Sequence, residues 1–452
     1  MKTTAVLLAA GQGLRMKSGL PKMLHPVCGR PMLSHSLAAV MQASDESPVV
    51  VVGHDADQVR SAVSGDVRFV IQEQQLGTAH AVMQVESLLK GKTDYVLVTY
   101  GDMPLLQAST LERLVETQKA NRGPLTMLTV IADDPRGFGR VLRKSDGTVA
   151  AIVEEYGASP EQLKINELNV GAYCFKADWL WDALHRIKVS SKGEYYLTDT
   201  AELAFRDGLA IQAVVCDDLV ETIGINTRVH LAEAESALRA RINRAHMLNG
   251  VTLMDPAVTY IEADVKIGRD TVILPNTYIR GTTVIGERNR IGPNSHLLNS
   301  KIGNDCTVFM SVMEGALLED NVDIGPFARL RKGAHLAQHV HMGNLGEVKD
   351  SYLAEGVKVG HFSYIGNATI GRNTNIGAGT ITCNFDGVNK NPTEIGEDVF
   401  IGSDSMLVAP LKIGDRAKTG AGAVVTRDVP ADMLAVGVPA RAIKKLERKK
   451  EE

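Results

Sequence analysis

The sequence is poor in cysteine and in aromatic residues, and it has no long hydrophobic run. Its five cysteines are scattered and form no CxxC pair, which argues against a disulfide framework or a zinc knuckle and indicates a reducing compartment. The first apolar run, Ala5–Ala10, is too short for a signal-peptide core, and no other stretch is long enough to span a bilayer. We therefore expect a cytoplasmic protein without membrane insertion.

The chain also lacks an excess of positive charge. Its formal net charge is −4, so nucleic acid is not expected as a partner. Near the C-terminal end a few basic residues cluster, as is typical of a solvated tail; assistance in binding an anionic cofactor is the less favoured interpretation. These residues are Arg441, Lys444, Lys445, Arg448, Lys449 and Lys450. A chain of 452 residues, 44% of them hydrophobic, is long enough for two or three domains, each with its own core.

The first part of the chain alternates buried strands with helices up to about residue 226. Strands are predicted at Ala5–Ala10, Val49–Val52, Arg68–Ile71, Tyr95–Thr99 and Leu125–Ile131. Helices are predicted between them, at Pro31–Met41 and Ala79–Leu89. This alternation is typical of an α/β domain with a Rossmann-like, mostly parallel sheet, which binds ligands at the carboxyl ends of its strands.

A different pattern begins near residue 228. Residues 228–248 have apolar side chains at helical spacing and are predicted to form one linker helix, with Thr227 as a cap and Gly250 beyond its end. Aliphatic residues then recur at an interval of six, at Ile267, Ile273, Ile279, Ile285, Ile291 and Leu297, at Leu318, Ile324, Leu330 and Leu336, and at Ile395, Ile401, Leu407, Ile413 and Val425, with Thr419 in the sixth place between the last two. This hexapeptide repeat predicts a parallel β-helix. The period breaks at 342–355 and 380–393, where surface loops with a functional role are predicted.

A glycine-rich turn with nearby cations follows the first predicted strand. In Leu8–Met16 (LAAGQGLRM) the backbone N–H groups after the strand can approach phosphate oxygens, and Arg15 and Lys22 add positive charge against a triphosphate. Asp102 follows another strand, where a carboxylate suits Mg²⁺. An aspartate that merely caps a turn is the alternative interpretation.

These motifs resemble the sugar-1-phosphate nucleotidyltransferases. The segments that narrow the resemblance are Gln72–Thr78, Tyr100–Pro104, Gly137–Arg140, Gly193–Asp199 and, in the second half, Asn375–Asn384. Over nearly its full length the chain is similar to the bifunctional N-acetylglucosamine-1-phosphate uridyltransferase / glucosamine-1-phosphate acetyltransferase family. The resemblance implies acetyl transfer from acetyl-CoA to glucosamine 1-phosphate, then uridylyl transfer from UTP to N-acetylglucosamine 1-phosphate with release of pyrophosphate.

The resemblance also implies three parts for the chain. They are an α/β nucleotidyltransferase domain at 1–227, the linker helix at 228–248, and an acetyltransferase domain at 249–452 that is a left-handed parallel β-helix of hexapeptide repeats. It further implies a homotrimer with the acetyltransferase sites at subunit boundaries.

For uridylyl transfer, the resemblance assigns Asp102 and Asn226 as Mg²⁺ ligands. Residues near the uracil are Gln72, Gly77 and Thr78, and those at the amino sugar are Gly139, Glu154 and Asn169. The full implied set of nucleotide and sugar contacts is Leu8, Ala9, Ala10, Gly11, Arg15, Lys22, Gln72, Gly77, Thr78, Tyr100, Asp102, Gly139, Glu154, Asn169 and Asn226.

For acetyl transfer, the resemblance assigns His361 as the general base, and the chemistry agrees. An amine that attacks a thioester must lose a proton near neutral pH, which suits an imidazole. The implied sugar-phosphate contacts are Arg331, Lys349, Tyr364, Asn375 and Lys390, and the implied acetyl-CoA contacts are Ala378, Asn384, Phe385, Ser403 and Ala421. Some relatives carry Arg where Val438 stands, so the cation that meets the CoA phosphates stays open.

Three alternatives remain at this point. The protein could be a monofunctional sugar-1-phosphate nucleotidyltransferase whose β-helix is structural or regulatory. It could be a zinc enzyme, because His335, His339 and His341 lie close together on the repeat. It could also be a scaffold or binding protein, although the phosphate-binding motifs argue against that.

Overall fold

The computed structural model describes residues 1–53 and 55–445. The chain divides into two compact units, Met1–Leu238 and Arg239–Glu452, which we call unit 1 and unit 2. No helix within these described residues is long and apolar enough to cross a membrane.

Strands of unit 1 are β1 (Thr3–Ala9), β2 (Pro26–Val27), β3 (Arg30–Pro31), β4 (Val49–Val52), β5 (Arg68–Ile71), β6 (Tyr95–Tyr100), β7 (Leu125–Ile131), β8 (Arg140–Arg143), β9 (Val149–Val153), β10 (Glu167–Lys176) and β11 (Ile211–Val215). The helices of the chain are α1 (Met32–Gln42), α2 (Ala56–Ala62), α3 (Thr78–Met83), α4 (Glu86–Leu89), α5 (Ala108–Ala120), α6 (Ala177–Arg186), α7 (Asp199–Arg206) and α8 (Arg228–Leu248). Short 3-10 turns occur at Leu14–Met16, Lys22–Leu24, Glu155–Gly157, Gln162–Lys164, Leu219–Thr222 and Pro256–Val258.

A nine-stranded sheet is the centre of unit 1. Its main row is β11-β7-β10-β6-β1-β4-β5, and the β8–β9 hairpin attaches to β10. Neighbours in the row pair in parallel except β10, which is antiparallel to β6 and β7. Side chains of β1 alternate between two cores, with Ala5 and Leu7 in one and Val6 and Leu8 in the other, which explains why this strand is a continuous apolar run.

Most predicted elements of unit 1 are confirmed, and one helix is not continuous. Instead of a helix over Ala79–Leu89, the chain forms α3 and α4. The break occurs at Val85, which is fully buried and donates its N–H to the Val82 carbonyl in a tighter turn. The helix predicted at residues 228–248 is confirmed as α8, and Thr227 Oγ1 accepts a 3.3 Å hydrogen bond from the His230 N–H at its start.

Unit 2 is a parallel β-helix with three faces. Face 1 contains the strands Thr252–Leu253, Val272–Ile273, Arg290–Ile291, Thr307–Val308, Asp323–Ile324, His341–Met342, Lys358–Val359, Asn375–Ile376, Phe400–Ile401, Lys418–Thr419, Met433–Gly437 and Ala440–Lys445. Face 2 contains Thr259–Ile261, Thr277–Arg280, His296–Leu298, Val312–Glu314, Arg329–Leu330, Gly346–Lys349, Ser363–Gly366, Ile381–Cys383, Met406–Val408 and Val424–Val425. Face 3 contains Lys266–Ile267, Val284–Ile285, Lys301–Ile302, Leu317–Leu318, Ala334–Leu336, Ser351–Leu353, Ala368–Ile370, Thr393–Ile395 and Leu411–Ile413.

The aliphatic residues of the hexapeptide repeat fill the interior of this β-helix. Except for the half-buried Ile267, the residues that set the period are buried in one continuous core. Strands of successive coils pair in parallel and in register, as Ile273 does with Ile291, so each coil covers the apolar interior of the next. Among the strands of unit 2 up to residue 445, only Ala440–Lys445 runs antiparallel to its neighbour.

The two predicted loops have different outcomes. The loop predicted at 342–355 is wrong, because this segment contains regular strands with Val348 and Leu353 in the core. The inward residues Val348 and Leu353 are five positions apart instead of six, so a search for a period of six does not detect this side of the coil. The loop at 380–393 is confirmed in its centre, where residues 384–392 leave the coil between the strands Ile381–Cys383 and Thr393–Ile395. We call residues 384–392 the insertion loop.

Candidate active sites

A cavity of about 480 Å³ lies at the carboxyl ends of β1 and β6 in unit 1. The predicted site residues that line it are Leu8, Ala10, Gly11, Lys22, Gln72, Gly77, Thr78, Tyr100 and Asp102, while Ala9 lines a smaller neighbouring cavity. The sequence argument missed the other lining residues, which are Gln12, Met23, Gln75, Ala81, Glu194 and Tyr196. Of these, Gln12, Gln75, Glu194 and Tyr196 stand in motifs that were the available signal, namely Leu8–Met16, Gln72–Thr78 and Gly193–Asp199.

One wall of the cavity is held by contacts within the Gln72–Thr78 motif and between it and the Gly193–Asp199 motif. Gln72 Nε2 donates to the Gly77 carbonyl at 3.1 Å, and Thr78 Oγ1 accepts from the Leu197 N–H at 3.0 Å. Gly77 has φ +100°, and a Cβ there would lie 2.5 Å from the Tyr195 carbonyl oxygen. Only glycine fits this close approach, so the position fixes how the two motifs meet.

Two side chains with oxygen atoms that can bind a metal ion and two cationic side chains converge at the cavity. The Lys22 ammonium donates to the Asp102 carboxylate and, at 2.9 Å, to Asn226 Oδ1. Arg15 also donates to Asn226 Oδ1 at 2.9 Å. The Lys22 side chain is only 9% exposed, and the Ile225 N–H donates to the Asp102 carbonyl at 2.9 Å. The oxygens of Asp102 and Asn226 therefore face one position that already holds a positive charge, and this donor set fits Mg²⁺.

The predicted amino-sugar residues lie beside this cavity. The Asn169 N–H donates to the Gly139 carbonyl at 2.8 Å, which joins these two residues. Glu154 lines a second cavity of about 470 Å³ with Gly137, Glu155, Tyr156 and Leu163. Burial raises the pKa of the Glu154 carboxyl, and a 3.0 Å hydrogen bond from Thr198 Oγ1 opposes that rise.

Tyr100 lies between the two groups of residues. Removal from water raises the pKa of its hydroxyl, and the negative charges of Glu154 and Asp102 raise it further. The hydroxyl is therefore a neutral hydrogen-bonding group at neutral pH.

In unit 2, His361 and three of the predicted acetyl-CoA residues form a column. Each stands two residues after the inward residue of a face 1 strand, at the corner that leads to face 2. The members of this corner column are His361, Ala378, Ser403 and Ala421. Because the coils stack, the four positions follow one another along one edge of the β-helix, and His361 is exposed there.

The predicted phosphate-binding cations meet on the opposite edge of face 2. Lys390 of the insertion loop lies against Lys349, and this neighbour lowers the pKa of the Lys390 ammonium, with Arg331 contributing to the same effect. Arg331 donates to Glu347 at 3.0 Å, and Lys349 lies 3.7 Å from Asp350. Ammonium groups held this close favour binding of a multiply charged anion.

The remaining predicted residues divide between these two edges. A Cβ on Gly366 would lie 2.6 Å from the Tyr364 hydroxyl and 2.9 Å from Asn384 Nδ2, so Tyr364 leans toward the insertion loop. Asn384 and Phe385 begin that loop, whereas Asn375 is on face 1, paired with Phe400. Within one chain the structure therefore unites the cations, Tyr364, Asn384 and Phe385, and it does not unite them with His361 or Asn375.

The histidines considered for zinc have acidic partners on neighbouring coils. His335 Nε2 lies 2.8 Å from Glu319 and His341 Nδ1 lies 3.0 Å from Asp323. Over the residues that the structure describes, no group of three or more His, Cys, Asp or Glu side chains is arranged to hold a metal ion.

Comparisons with known families and proteins agree with both units. Residues 5–158 match the MobA-like NTP transferase domain, and residues 264–299 and 392–427 match the bacterial transferase hexapeptide family. A protein of Syntrophomonas wolfei named "Bifunctional protein GlmU" is 47% identical over 96% of this chain and 97% of its own length. Proteins of the same name from Geobacillus sp. and Listeria monocytogenes are 46% and 44% identical, each over 96% of this chain and 95% of their own length. A UDP-glucose pyrophosphorylase structure aligns with 53% of the chain at a TM-score of 0.44 and 17% identity, which supports no conclusion.

The fold and sites thus define a nucleotidyltransferase joined to a left-handed β-helix acyltransferase of the hexapeptide type. The chain belongs to the GlmU family. It is a bifunctional enzyme, a uridylyltransferase and an acetyltransferase that together make UDP-N-acetylglucosamine. The monofunctional and scaffold alternatives are thereby set aside.

Proposed function

We propose that the cavity of unit 1 binds UTP and N-acetylglucosamine 1-phosphate, and that Arg15 and Lys22 neutralise the phosphates during uridylyl transfer. The observation that carries this proposal is the convergence of these cations with Asp102 and Asn226. A phosphate oxygen of the sugar attacks the α-phosphorus of UTP in line, and pyrophosphate leaves with the broken P–O bond. This reaction needs positioning and charge neutralisation more than covalent help.

Asp102 and Asn226 would hold Mg²⁺, which when bound supplies further positive charge to the phosphates. The backbone of Gly11 in the glycine-rich turn would donate to phosphate oxygens. Gln72, Gly77 and Thr78 would contact the uracil end, because they line the cavity beside the turn.

Glu154, Asn169 and Gly139 would bind the amino sugar. The half-buried Glu154 carboxylate can accept hydrogen bonds from sugar hydroxyls, and a fixed Asn169 amide can bind a hydroxyl or an acetamido group. Their positions beside Tyr100 support this proposal, because a sugar bound there would lie next to the phosphates.

For acetyl transfer, His361 would take the proton from the amine of glucosamine 1-phosphate. As the nitrogen bonds to the thioester carbonyl carbon, the carbon–sulfur bond breaks and CoA leaves as the thiol. Acetyl-CoA would lie along the corner column and contact Asn384 and Phe385. Arg331, Lys349 and Lys390 would bind the sugar phosphate, with Tyr364 and Asn375 at the sugar.

A homotrimer would complete this second site. The corner column and the cation cluster lie at opposite edges of face 2, and Tyr364 leans away from His361. At the spacing of strand residues, the three positions from His361 to Tyr364 correspond to about 10 Å. That distance is too great for one small substrate to contact His361 and the cation cluster of the same chain. We propose that a neighbouring subunit brings its column to this chain's cations.

We further assign uridylyl transfer to residues 1–227, a linking role to 228–248 and acetyl transfer to 249–452, in a cytoplasmic enzyme. Acetylation comes first in this proposal, because the uridylyltransferase substrate already carries the acetyl group.

The test is one assay that contains glucosamine 1-phosphate, acetyl-CoA, UTP and Mg²⁺ and measures UDP-N-acetylglucosamine. We expect His361→Ala to stop CoA thiol release while uridylyl transfer to supplied N-acetylglucosamine 1-phosphate continues. Asp102→Ala should do the reverse.

His335→Ala is the matched control for the histidine, because it removes an imidazole from another face of the same β-helix. If either site variant stopped both reactions with the fold intact, the division between the two sites would be wrong.

A further inference from the structure

The insertion loop has little to hold it in shape except polar contacts. Residues 385–390 are exposed, and Val388 at its tip is 84% exposed. An exposed loop without apolar anchors loses conformational entropy when it is ordered, so specific hydrogen bonds must supply its shape.

Asp386 supplies most of these hydrogen bonds. Its Oδ1 accepts from the N–H groups of Val388 at 2.8 Å and Asn389 at 2.7 Å, and its Oδ2 accepts from Asn391 Nδ2 at 3.0 Å. Its own N–H donates to the Asn389 carbonyl at 3.2 Å. Gly387, at φ +99°, allows the chain to turn around the carboxylate.

The two arms of the loop are joined around this residue. Phe385 and Lys390 form an antiparallel bridge, and the Asn391 N–H donates to the Asn384 carbonyl at 2.7 Å. Asn384 is also fixed from below, since its Nδ2 donates to Asn367 Oδ1 at 2.7 Å. One arm thus contains the two proposed CoA contacts, and the other contains the proposed phosphate contact.

We infer that Asp386 is a positioning residue that holds the CoA arm and the phosphate arm of the insertion loop as one unit. The inference rests on the proposed roles of Phe385 and Lys390. The carboxylate accepts hydrogen bonds from the turn and from the Lys390 arm, while its own backbone belongs to the Phe385 arm. Loss of the carboxylate therefore weakens the junction of the two arms and leaves the backbone bonds between them unsupported. Binding of the nucleotide-like cofactor and of the sugar phosphate is thereby linked through one carboxylate.

The experiment compares Asp386→Ala with single-arm variants in steady-state acetyl transfer by the full chain. We expect Phe385→Ala to raise the KM for acetyl-CoA alone and Lys390→Met to raise the KM for glucosamine 1-phosphate alone. Asp386→Ala should raise both by about tenfold, as loss of hydrogen bonds to a charged group predicts. In the double variant Asp386→Ala/Lys390→Met, the increase in the KM for glucosamine 1-phosphate should be smaller than the combined effects of the two single substitutions.

Asp146→Ala is the matched control, because Asp146 caps an exposed turn of unit 1 in the same way, with Oδ1 2.9 Å from the Thr148 N–H. It should leave both KM values unchanged, and uridylyl transfer should be normal in every variant. An Asp386→Ala enzyme with only one KM raised, or neither, would overturn the inference. If instead the single-arm variants failed to affect their assigned substrates, the proposed site itself would be wrong.

Discussion

The Thr198 hydroxyl donates a 3.0 Å hydrogen bond to the Glu154 carboxylate and so holds the pKa of that carboxyl below the level that burial alone would set. Thr198→Val removes this bond, so the Glu154 pKa rises and the carboxylate proposed to bind the sugar becomes protonated at a higher pH. We expect the KM for N-acetylglucosamine 1-phosphate to increase about tenfold at the acid end of its pH profile. Thr200→Val is the control, because Thr200 bonds only to the Leu197 carbonyl; superimposable profiles for the two variants would contradict the role of Thr198.

We expect Asp199 to make the stability of unit 1 depend on pH. Burial, with the nearby charges of Glu202 and Glu154, raises its pKa from 3.8 to about 6. The folded state therefore binds this proton more tightly than the unfolded chain, so the contribution of Asp199 to stability is greatest below pH 4 and is lost as the pH rises through 6. Asp199→Asn should stabilise the protein at pH 8 by about 1 kcal/mol, after allowance for partial exposure, and the gain should vanish near pH 4.

Thermal unfolding of the full chain at several pH values measures this difference. Asp207→Asn provides a control of opposite sign, because hydrogen bonds from Arg186 lower the Asp207 pKa. That variant should lose stability at neutral pH. A pH-independent difference between Asp199→Asn and the parent chain would show that the carboxyl is not the source.

Gly343 and Gly360 occupy the same corner position on successive coils but differ in the space around them. A Cβ on Gly343 would lie 1.9 Å from the Gly360 carbonyl oxygen, whereas a Cβ on Gly360 would meet nothing within 4 Å. Gly343→Ala should therefore destabilise the β-helix by about 3 kcal/mol, visible as a lower denaturation midpoint. Gly360→Ala should leave the midpoint nearly unchanged and, because it adds a methyl group beside His361, lower the rate of acetyl transfer. Equal midpoints for the two variants would show that the coils can separate at this corner.

The Lys22 ammonium contacts both of the oxygens that we propose as Mg²⁺ ligands, those of Asp102 and Asn226. We therefore expect Lys22 to compete with a metal ion for this site. Without nucleotide, a divalent ion must displace the ammonium from Asp102 and Asn226. Lys22→Met should therefore bind Mn²⁺ about tenfold more tightly in the absence of nucleotide, while its affinity for UTP falls by a similar factor. Electron paramagnetic resonance of free Mn²⁺ measures the first effect and calorimetry the second. Mn²⁺ affinity equal to that of the parent chain would mean that the ammonium moves aside at no cost.

Structural features that depend on neighbouring residues could be predicted from the sequence, whereas those that depend on residues far apart in the chain could not. The strand at Val49–Val52 has the predicted ends because Pro48 and Gly53 bound an apolar run. Leu353 was assigned to a loop because one five-residue side hid it from a period of six. The short-range pattern therefore predicts elements well and fails where a single residue is missing from the repeat.

Contacts between distant segments were beyond such reasoning. Arg15 meets Asn226 across 211 positions of the chain, and only the folded sheet brings them together. The family resemblance supplied both residues, but it did not show that Lys22 joins them or that Glu194 and Tyr196 line the cavity. In unit 2 it supplied His361 and Lys390 as one site, whereas the coil places them at opposite edges of one face.

The antiparallel hairpin of face 1 has a consequence for the association of one β-helix with another. A stack of parallel coils ends in a row of unsatisfied backbone donors and acceptors, onto which another solenoid could add and continue into a fibre. Here the chain reverses direction, and Ala440–Lys445 covers the preceding strand antiparallel to it, so the next coil of a second molecule would find the wrong polarity. Arg441, Lys444 and Lys445 are exposed on this last strand and repel another molecule's edge. The hairpin and its exposed cations therefore disfavour continuation of the repeat along face 1, while Arg448, Lys449 and Lys450 of the basic cluster lie outside the described residues.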